Sequence, residues 1–394
     1  MDLYDRGVRG IDALVTRVRG AHVRHPALEY LLSSAGGTTG SLTKDVAVKT
    51  LRAYERDRWR ISPRRLGKRV DRIPLDRPIF FIGTQGASET IIGRCLRRNR
   101  NVVSVSGNSR HWTGADELGT IRNRMERLPW GLWGSKHRSD LRHPLIGTDQ
   151  PYACDALLPL YRRTAADATR ADASQFARLL REHVSVYAHD AEHARFLDKT
   201  HAYTVKIPLL AALLGKSPPF FVLVVRNPYE TCRWAVARKP TLFQAHVPST
   251  TRLEILSEHW ANAYATALDD AASVPGVVVV RYEDFLEDPE LVVRALCDFV
   301  DLEFDRDLLP LPGQKRPFAT LPGDRKWYPL YRSDWLGGMS SEEEAIIAQR
   351  CGTLARRFGY SAEGASPMSA PVEIIAESSR TARFAERALV PASR

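Results

Sequence analysis

No run of about 18 or more apolar residues occurs in this chain, so no membrane-spanning helix is expected. The opening Met1-Asp2-Leu3-Tyr4-Asp5-Arg6 has no apolar stretch of signal-peptide length. Cysteine is scarce. The five residues, Cys95, Cys154, Cys232, Cys297 and Cys351, form no Cys-x-x-Cys pair. That spacing excludes a thiolate zinc site, and no metal is expected. An odd, scattered set argues for reduced thiols and a cytoplasmic location rather than a disulfide framework. No internal repeat is present, which excludes a solenoid. Acidic residues are the minority, 46 against 57 Lys and Arg, for a formal net charge of +11. Such a surplus favours anionic partners, including phosphorylated or sulfated small molecules. The basic residues are spread out, with only short clusters such as Arg97-Arg98 and Arg356-Arg357. No nucleic-acid footprint is read from that pattern.

An apolar fraction of 44% is enough for a sizeable core, and the length suits one large α/β domain with additions. Residues 1–76 read as a basic helical extension, interrupted at Ser33-Ser34-Ala35-Gly36-Gly37 and closed by a linker containing Pro63 and Pro74. This extension leaves room for peripheral contact with a membrane surface. Residues 77–360 alternate apolar runs with helical patterns. Ile79–Ile82, Phe220–Val225 and Val277–Val280 are continuous apolar runs, and Val102–Ser106 is a weaker one. Strands buried on both faces read this way, so an α/β fold with a P-loop-like parallel sheet flanked by helices is expected. Residues 113–200 show no comparable strand and are expected to form a helical cap insertion. The tail at 361–394 starts polar and is expected to be loose.

The first chemical motif is a strand, a small-residue loop and a helix. The loop runs Gly83-Thr84-Gln85-Gly86-Ala87-Ser88-Glu89-Thr90. Small residues there let backbone N–H groups converge on a phosphate at the helix N-terminus. A nucleotide-triphosphate loop would carry lysine at position 89, and Glu89 counts against a P-loop kinase-like phosphotransferase. The second motif is Arg226-Asn227-Pro228-Tyr229-Glu230 at the end of a strand. Asn227, Pro228 and Glu230 suit a helix start. Arg226 has no such local explanation and sits where ligands of open α/β sheets bind. The third motif, Arg281-Tyr282-Glu283-Asp284-Phe285, is read as structural, with Asp288-Pro289 starting the next helix.

The ordered set resembles the sulfotransferases of bacterial type that use 3′-phosphoadenosine-5′-phosphosulfate. The resemblance runs from Pro78 to Tyr360. Gly83, Thr84 and Thr90 match the family's 5′-phosphosulfate loop. Arg226-Asn227-Pro228 matches its 3′-phosphate element, and Tyr282 to Phe285 with Asp288-Pro289 matches its third strand. Leu197-Asp198-Lys199-Thr200-His201 is similar to a Glu-Lys-Thr-Pro element of bacterial members, and Phe358-Gly359-Tyr360 to a closing turn. The chain departs from the family at Gly86, where the loop carries Arg or Lys, and at Trp234, where a serine shares the 3′-phosphate. Arg233 is a candidate substitute. Glu89 is a further departure, expected to turn away and cap the helix.

The resemblance implies transfer of a sulfuryl group to a hydroxyl or amine of a carbohydrate, lipid or small metabolite. The donor would be held by residues 83–90, Arg226, Arg233 and Lys326, with Arg332 beside that late loop. With Gly86 lacking a side chain, Lys199 is the candidate cation. His111, Glu117 and His201 are the candidate bases. A non-catalytic binding module on the same fold is the remaining alternative.

Overall fold

The structure is a computed structural model that describes residues 70–105, 107–108, 117–120, 127–134, 138–145, 150–238, 247–310, 338–367 and 369–376. The N-terminal extension before residue 70, His111, Lys326 and Arg332 lie outside them. In chain order the main elements are β1 (Ile79–Ile82), α1 (Glu89–Arg97), β2 (Val102–Ser104), β3 (Gly107–Asn108), α2 (Leu158–Tyr161), α3 (Arg170–Tyr187) and β4 (Arg195–Lys199). They continue with α4 (Ile207–Leu213), β5 (Phe220–Val225), α5 (Pro228–Arg238), α6 (Ser249–Ala271), β6 (Val277–Arg281), α7 (Tyr282–Glu287) and α8 (Pro289–Val300). The last are α9 (Ser341–Arg357), β7 (Tyr360–Ser361), β8 (Gly364–Ala365) and β9 (Glu373–Ala376).

Seven strands form one sheet in the order β3-β2-β4-β1-β5-β6-β9. The five inner strands are parallel, and β3 and β9 add antiparallel edges. Side chains alternate faces along each strand, which gives two cores. Phe80, Ile82, Phe221, Leu223 and Val225 pack on one face with residues of α3, α4, α6 and α9. Ile79, Phe81, Val222, Val224 and Val278 pack on the other with residues of α1 and α8. β1 lies between β4 and β5, so the chain leaves it in opposite directions. In open α/β sheets, ligands bind outside the carboxyl ends of the strands at such a point.

Local sequence explains most helix starts. Asp288 accepts the N–H of Leu291 (2.9 Å), with Pro289 as the first helical residue of α8. Ser340 and Glu343 form a reciprocal capping box on α9. Asn227 accepts the N–H of Tyr229 (2.9 Å), as expected for the start of α5.

Two expectations are corrected. The stretch 113–200 contains β4, a fully buried strand between β1 and β2. Its sequence, Arg-Phe-Leu-Asp-Lys, has polar ends that find partners in the fold, so no apolar run marks it. The tail is not loose from its start: β7 and β8 form a small hairpin, and β9 pairs with β6. No helix among the described residues is long and apolar enough to cross a membrane. All five cysteines are free and buried.

Candidate active site

The loop after β1 is built tightly onto the sheet. Gly83 has φ +151°, and a Cβ there would sit 2.5 Å from the Val224 carbonyl oxygen and 2.8 Å from Glu89 Oε1. Only glycine fits that approach. The Gly83 N–H donates to Thr204 Oγ1 (2.8 Å), and Tyr152 donates its hydroxyl to the Gly83 carbonyl (3.0 Å). Thr84 donates its N–H to the Tyr264 hydroxyl (3.3 Å), which in turn donates to the Val224 carbonyl (2.8 Å). Burial pushes both tyrosine hydroxyls above their ordinary pKa, so both remain protonated donors. Thr204, Tyr152 and Tyr264 anchor the loop from far along the chain, and no local sequence signal marks them.

Beyond Thr84 the loop turns, with the Ala87 N–H on the Thr84 carbonyl (3.0 Å). Ser88 sits in the left-handed region at φ 73° and makes no side-chain capping bond. Glycine would take that conformation without the steric cost of a Cβ. The first N–H groups of α1 have no partner earlier in the helix. The cap serine's side chain does not engage them, and the Ile91 N–H bonds back to the Ser88 carbonyl (3.1 Å).

Gly86 and Trp234 are coupled. Gly86 has φ +103°, and a Cβ there would lie 3.3 Å from Thr231 Cγ2 and 3.4 Å from Trp234 Cζ3. The indole occupies the side of the loop from which a longer residue at 86 would start. The two departures from the family therefore compensate in volume.

Arg226 follows β5 and is 3% exposed. Its guanidinium donates to the Gly86 carbonyl (3.4 Å), pairs with Glu230 (3.3 Å) and lies 5.0 Å from the centre of the Tyr282 ring. One side chain thus joins the loop, the second motif and the third. Beside it, Asn227 donates through Nδ2 to the Ser361 carbonyl (2.9 Å). Its N–H donates to Glu283 Oε1 (3.0 Å), and Tyr360 donates to Glu283 Oε2 (2.7 Å). Burial raises the Glu283 pKa, with these two hydrogen bonds opposing it. Asp284 pairs with Arg281. The third motif is a structural tie, as its sequence suggests. Arg233 faces the start of α9, where it pairs with Glu343 (3.5 Å) and donates to the Gly338 carbonyl (2.8 Å).

At the end of β4, Asp198 and Lys199 point to opposite faces. Asp198 accepts the Leu118 N–H (2.7 Å). Lys199 is 5% exposed and is ion-paired with Glu117, not with Asp198. Its ammonium also approaches His201 Nε2 (3.4 Å), and that nitrogen lies 3.8 Å from Glu117 Oε1. On the other side of the ring, His201 Nδ1 meets Glu89 Oε1 at 3.1 Å. Glu89 does stand in the first turn of α1, but its carboxylate is buried and turned to His201. Three of the candidate residues, Glu117, Lys199 and His201, come together with Glu89 beside the loop.

The sequence pattern of the Sulfotransferase family matches residues 78–306, more than half of the chain. The chain belongs to the sulfotransferase family. Among solved structures, the sulfotransferase domain from the curacin biosynthetic pathway is 17% identical with a TM-score of 0.42, covering 73% of this chain and 99% of that one. Sulfotransferase STF9 from Mycobacterium avium is 13% identical with a TM-score of 0.44, covering 89% and 97%. The sulfotransferase domain of the Synechococcus PCC 7002 olefin synthase is 17% identical with a TM-score of 0.39, covering 72% and 98%. No match was found among curated proteins. The 83–90 loop, Arg226 and Lys199 lie at the carboxyl ends of the parallel strands β1, β5 and β4, on one edge of the sheet.

Proposed function

We propose that this chain transfers a sulfuryl group from 3′-phosphoadenosine-5′-phosphosulfate to a hydroxyl or amine of a carbohydrate, lipid or small metabolite. The observation that carries this reading is that the 83–90 loop, Arg226 and Lys199 share the carboxyl edge of the sheet in a chain of the sulfotransferase family. The residues fit such a donor. The uncapped first turn of α1 offers N–H groups to the 5′-phosphosulfate, and Arg226 offers a fork to the 3′-phosphate. Glu89 is tied to His201, so its charge is not presented to the donor.

The donor supplies an activated sulfuryl group. The protein's part is positioning, charge neutralisation and proton removal. We take His201 as the base for the acceptor: its Nδ1 is held by Glu89, which leaves Nε2, beside Lys199, as the nitrogen that accepts a proton. As the acceptor hydroxyl gives its proton to His201 Nε2, its oxygen forms the new S–O bond. The S–O bond to the 5′-phosphate breaks, and its electron pair leaves on the bisphosphate. Lys199 stands to meet that developing charge in place of the missing loop cation.

The bare Gly86 gives a second reading, a binding module without turnover. Incubation with the sulfate donor and a metabolite extract separates the two. Formation of adenosine 3′,5′-bisphosphate together with a newly sulfated product supports transfer. Tight donor binding with no product, at any acceptor, supports the module. Reduced thiols at all five cysteines support a cytoplasmic setting for either.

A further inference from the structure

Glu89 stands where a nucleotide-triphosphate loop has a cation, and a carboxylate in a loop meant for anions needs a reason. Three observations supply one. The side chain is 2% exposed, so its carboxylate is withdrawn from solvent. Gly83 makes room for it, since a Cβ at that position would press on Glu89 Oε1 at 2.8 Å. Its oxygen meets His201 Nδ1 at 3.1 Å, across 112 residues of sequence.

The hydrogen-bond inventory then fixes the imidazole. A carboxylate can only accept, so His201 Nδ1 carries the proton and donates it to Glu89. Lys199 can only donate, so at 3.4 Å it faces the lone pair of Nε2. Among the described residues, the charged and titratable groups around the ring include Glu89 from α1, Lys199 from β4, Glu117 ahead of β4, and His259 from α6. Burial pushes His259 down to about 3, which keeps it neutral. Glu117 is engaged by Lys199, which leaves Glu89 as the carboxylate that sets the ring.

We propose that Glu89 is a positioning residue whose buried carboxylate holds His201 as the Nδ1–H tautomer, which makes Nε2 the basic nitrogen; its lone pair faces Lys199 at rest and is freed for the acceptor's proton as Lys199 turns to the leaving bisphosphate. This rests on the sulfuryl-transfer reading and deepens it: the loop residue that would otherwise face the donor serves the acid–base side of the site. Glu89 acts through His201 and touches neither donor nor acceptor. A carboxylate that orients an imidazole also stabilises the imidazolium formed as the proton arrives. The proton moves from the acceptor oxygen to Nε2.

The test uses the full chain labelled with ¹⁵N-histidine, with the His201 signals identified by their loss in His201→Asn. In the wild type, Nδ1 is protonated and Nε2 is not. In Glu89→Gln the share of the Nε2–H tautomer rises about threefold or more, while affinity for adenosine 3′,5′-bisphosphate changes by less than about threefold. Donor turnover falls on the order of 100-fold, and the same change in a His201→Asn background costs less than about threefold, as two residues acting as one unit require. Unchanged His201 signals in Glu89→Gln overturn the proposal. So does a tenfold loss of bisphosphate affinity, which would make Glu89 a part of the donor loop's fold. If Glu89→Gln does not fold, Glu89→Asp, which withdraws the charge by one methylene, must move the His201 signals in the same direction. A wild type that binds no bisphosphate defeats the sulfuryl-transfer reading, while the imidazole signals still decide the role of Glu89.

Discussion

Replacing Arg226 by alanine separates a ligand-gripping role from a structural one. The guanidinium is 3% exposed and is held by the Gly86 carbonyl at 3.4 Å and Glu230 at 3.3 Å. Both contacts are long for charged hydrogen bonds. A 3′-phosphate would add one or two charge-assisted bonds, each worth about 1.5–3 kcal/mol. Arg226→Ala should therefore weaken adenosine 3′,5′-bisphosphate binding by about 10- to 150-fold per bond lost. Calorimetric titration should show little change for adenosine 5′-phosphosulfate, which lacks the 3′-phosphate. Arg226→Lys keeps the charge but not the planar fork, and should fall between wild type and alanine. Thermal melts without nucleotide provide the control. An equal loss for both nucleotides, or a large drop in melting temperature of the free protein, would refute the reasoning and leave Arg226 as a strut joining the loop to Tyr282.

Other predictions follow from individual contacts. Lys199→Met should cut sulfuryl transfer by about 100- to 1000-fold with bisphosphate affinity nearly intact, measured by product formation and titration; a change below about threefold would leave Lys199 with only its ion pair to Glu117. His259, pushed down to about 3 by burial, is neutral in the fold and protonates near 6.5 when unfolded, so it contributes stability above pH 6.5 that is lost as pH falls toward 3. Between pH 7 and pH 5 its share is about 1–2 kcal/mol, and urea melts of His259→Gln should show a pH dependence smaller by that amount. Ser88→Gly should raise stability by up to about 1 kcal/mol by relieving a left-handed residue, whereas Gly83→Ala should cost about 2 kcal/mol or more through its clash with the Val224 carbonyl. Gly86→Arg alone should disorder the loop against Trp234, and the paired change with Trp234→Ser should be better tolerated in thermal melts.

The legible part of the fold was the part written in continuous apolar runs. β1, β5 and β6 are buried on both faces, so their sequences carry no polar interruption. β4 was hidden because Asp198 and Lys199 occupy its carboxyl end. A polar side chain at a strand end is tolerated when the fold supplies a partner, here the Leu118 N–H and the Glu117 carboxylate. Those partners lie on a segment nearly as polar as β4 itself. β9 was hidden because Glu373–Ala376 is short and takes an edge, where pairing needs little burial. At the site, the loop and Arg226 stood out because local rules left them unexplained. The contact of Glu89 with His201 was hidden for the opposite reason. A first-turn glutamate has a sufficient local explanation, and its contact with His201 spans 112 residues, beyond any local pattern. Trp234 and Gly86 read as two separate losses, and only their proximity in space makes them one compensated change.

The central claim is that the 83–90 loop and Arg226 hold a 3′-phosphorylated adenosine donor. The most direct measurement is the melting temperature of the full chain with adenosine 3′,5′-bisphosphate, adenosine 5′-monophosphate and ATP at equal concentrations. At about 100 times its dissociation constant, a ligand of the folded state adds roughly 2.7 kcal/mol of stability. The account predicts a clear upward shift with the bisphosphate, a smaller one with the monophosphate, and little with ATP. A shift with ATP and none with the bisphosphate would contradict it.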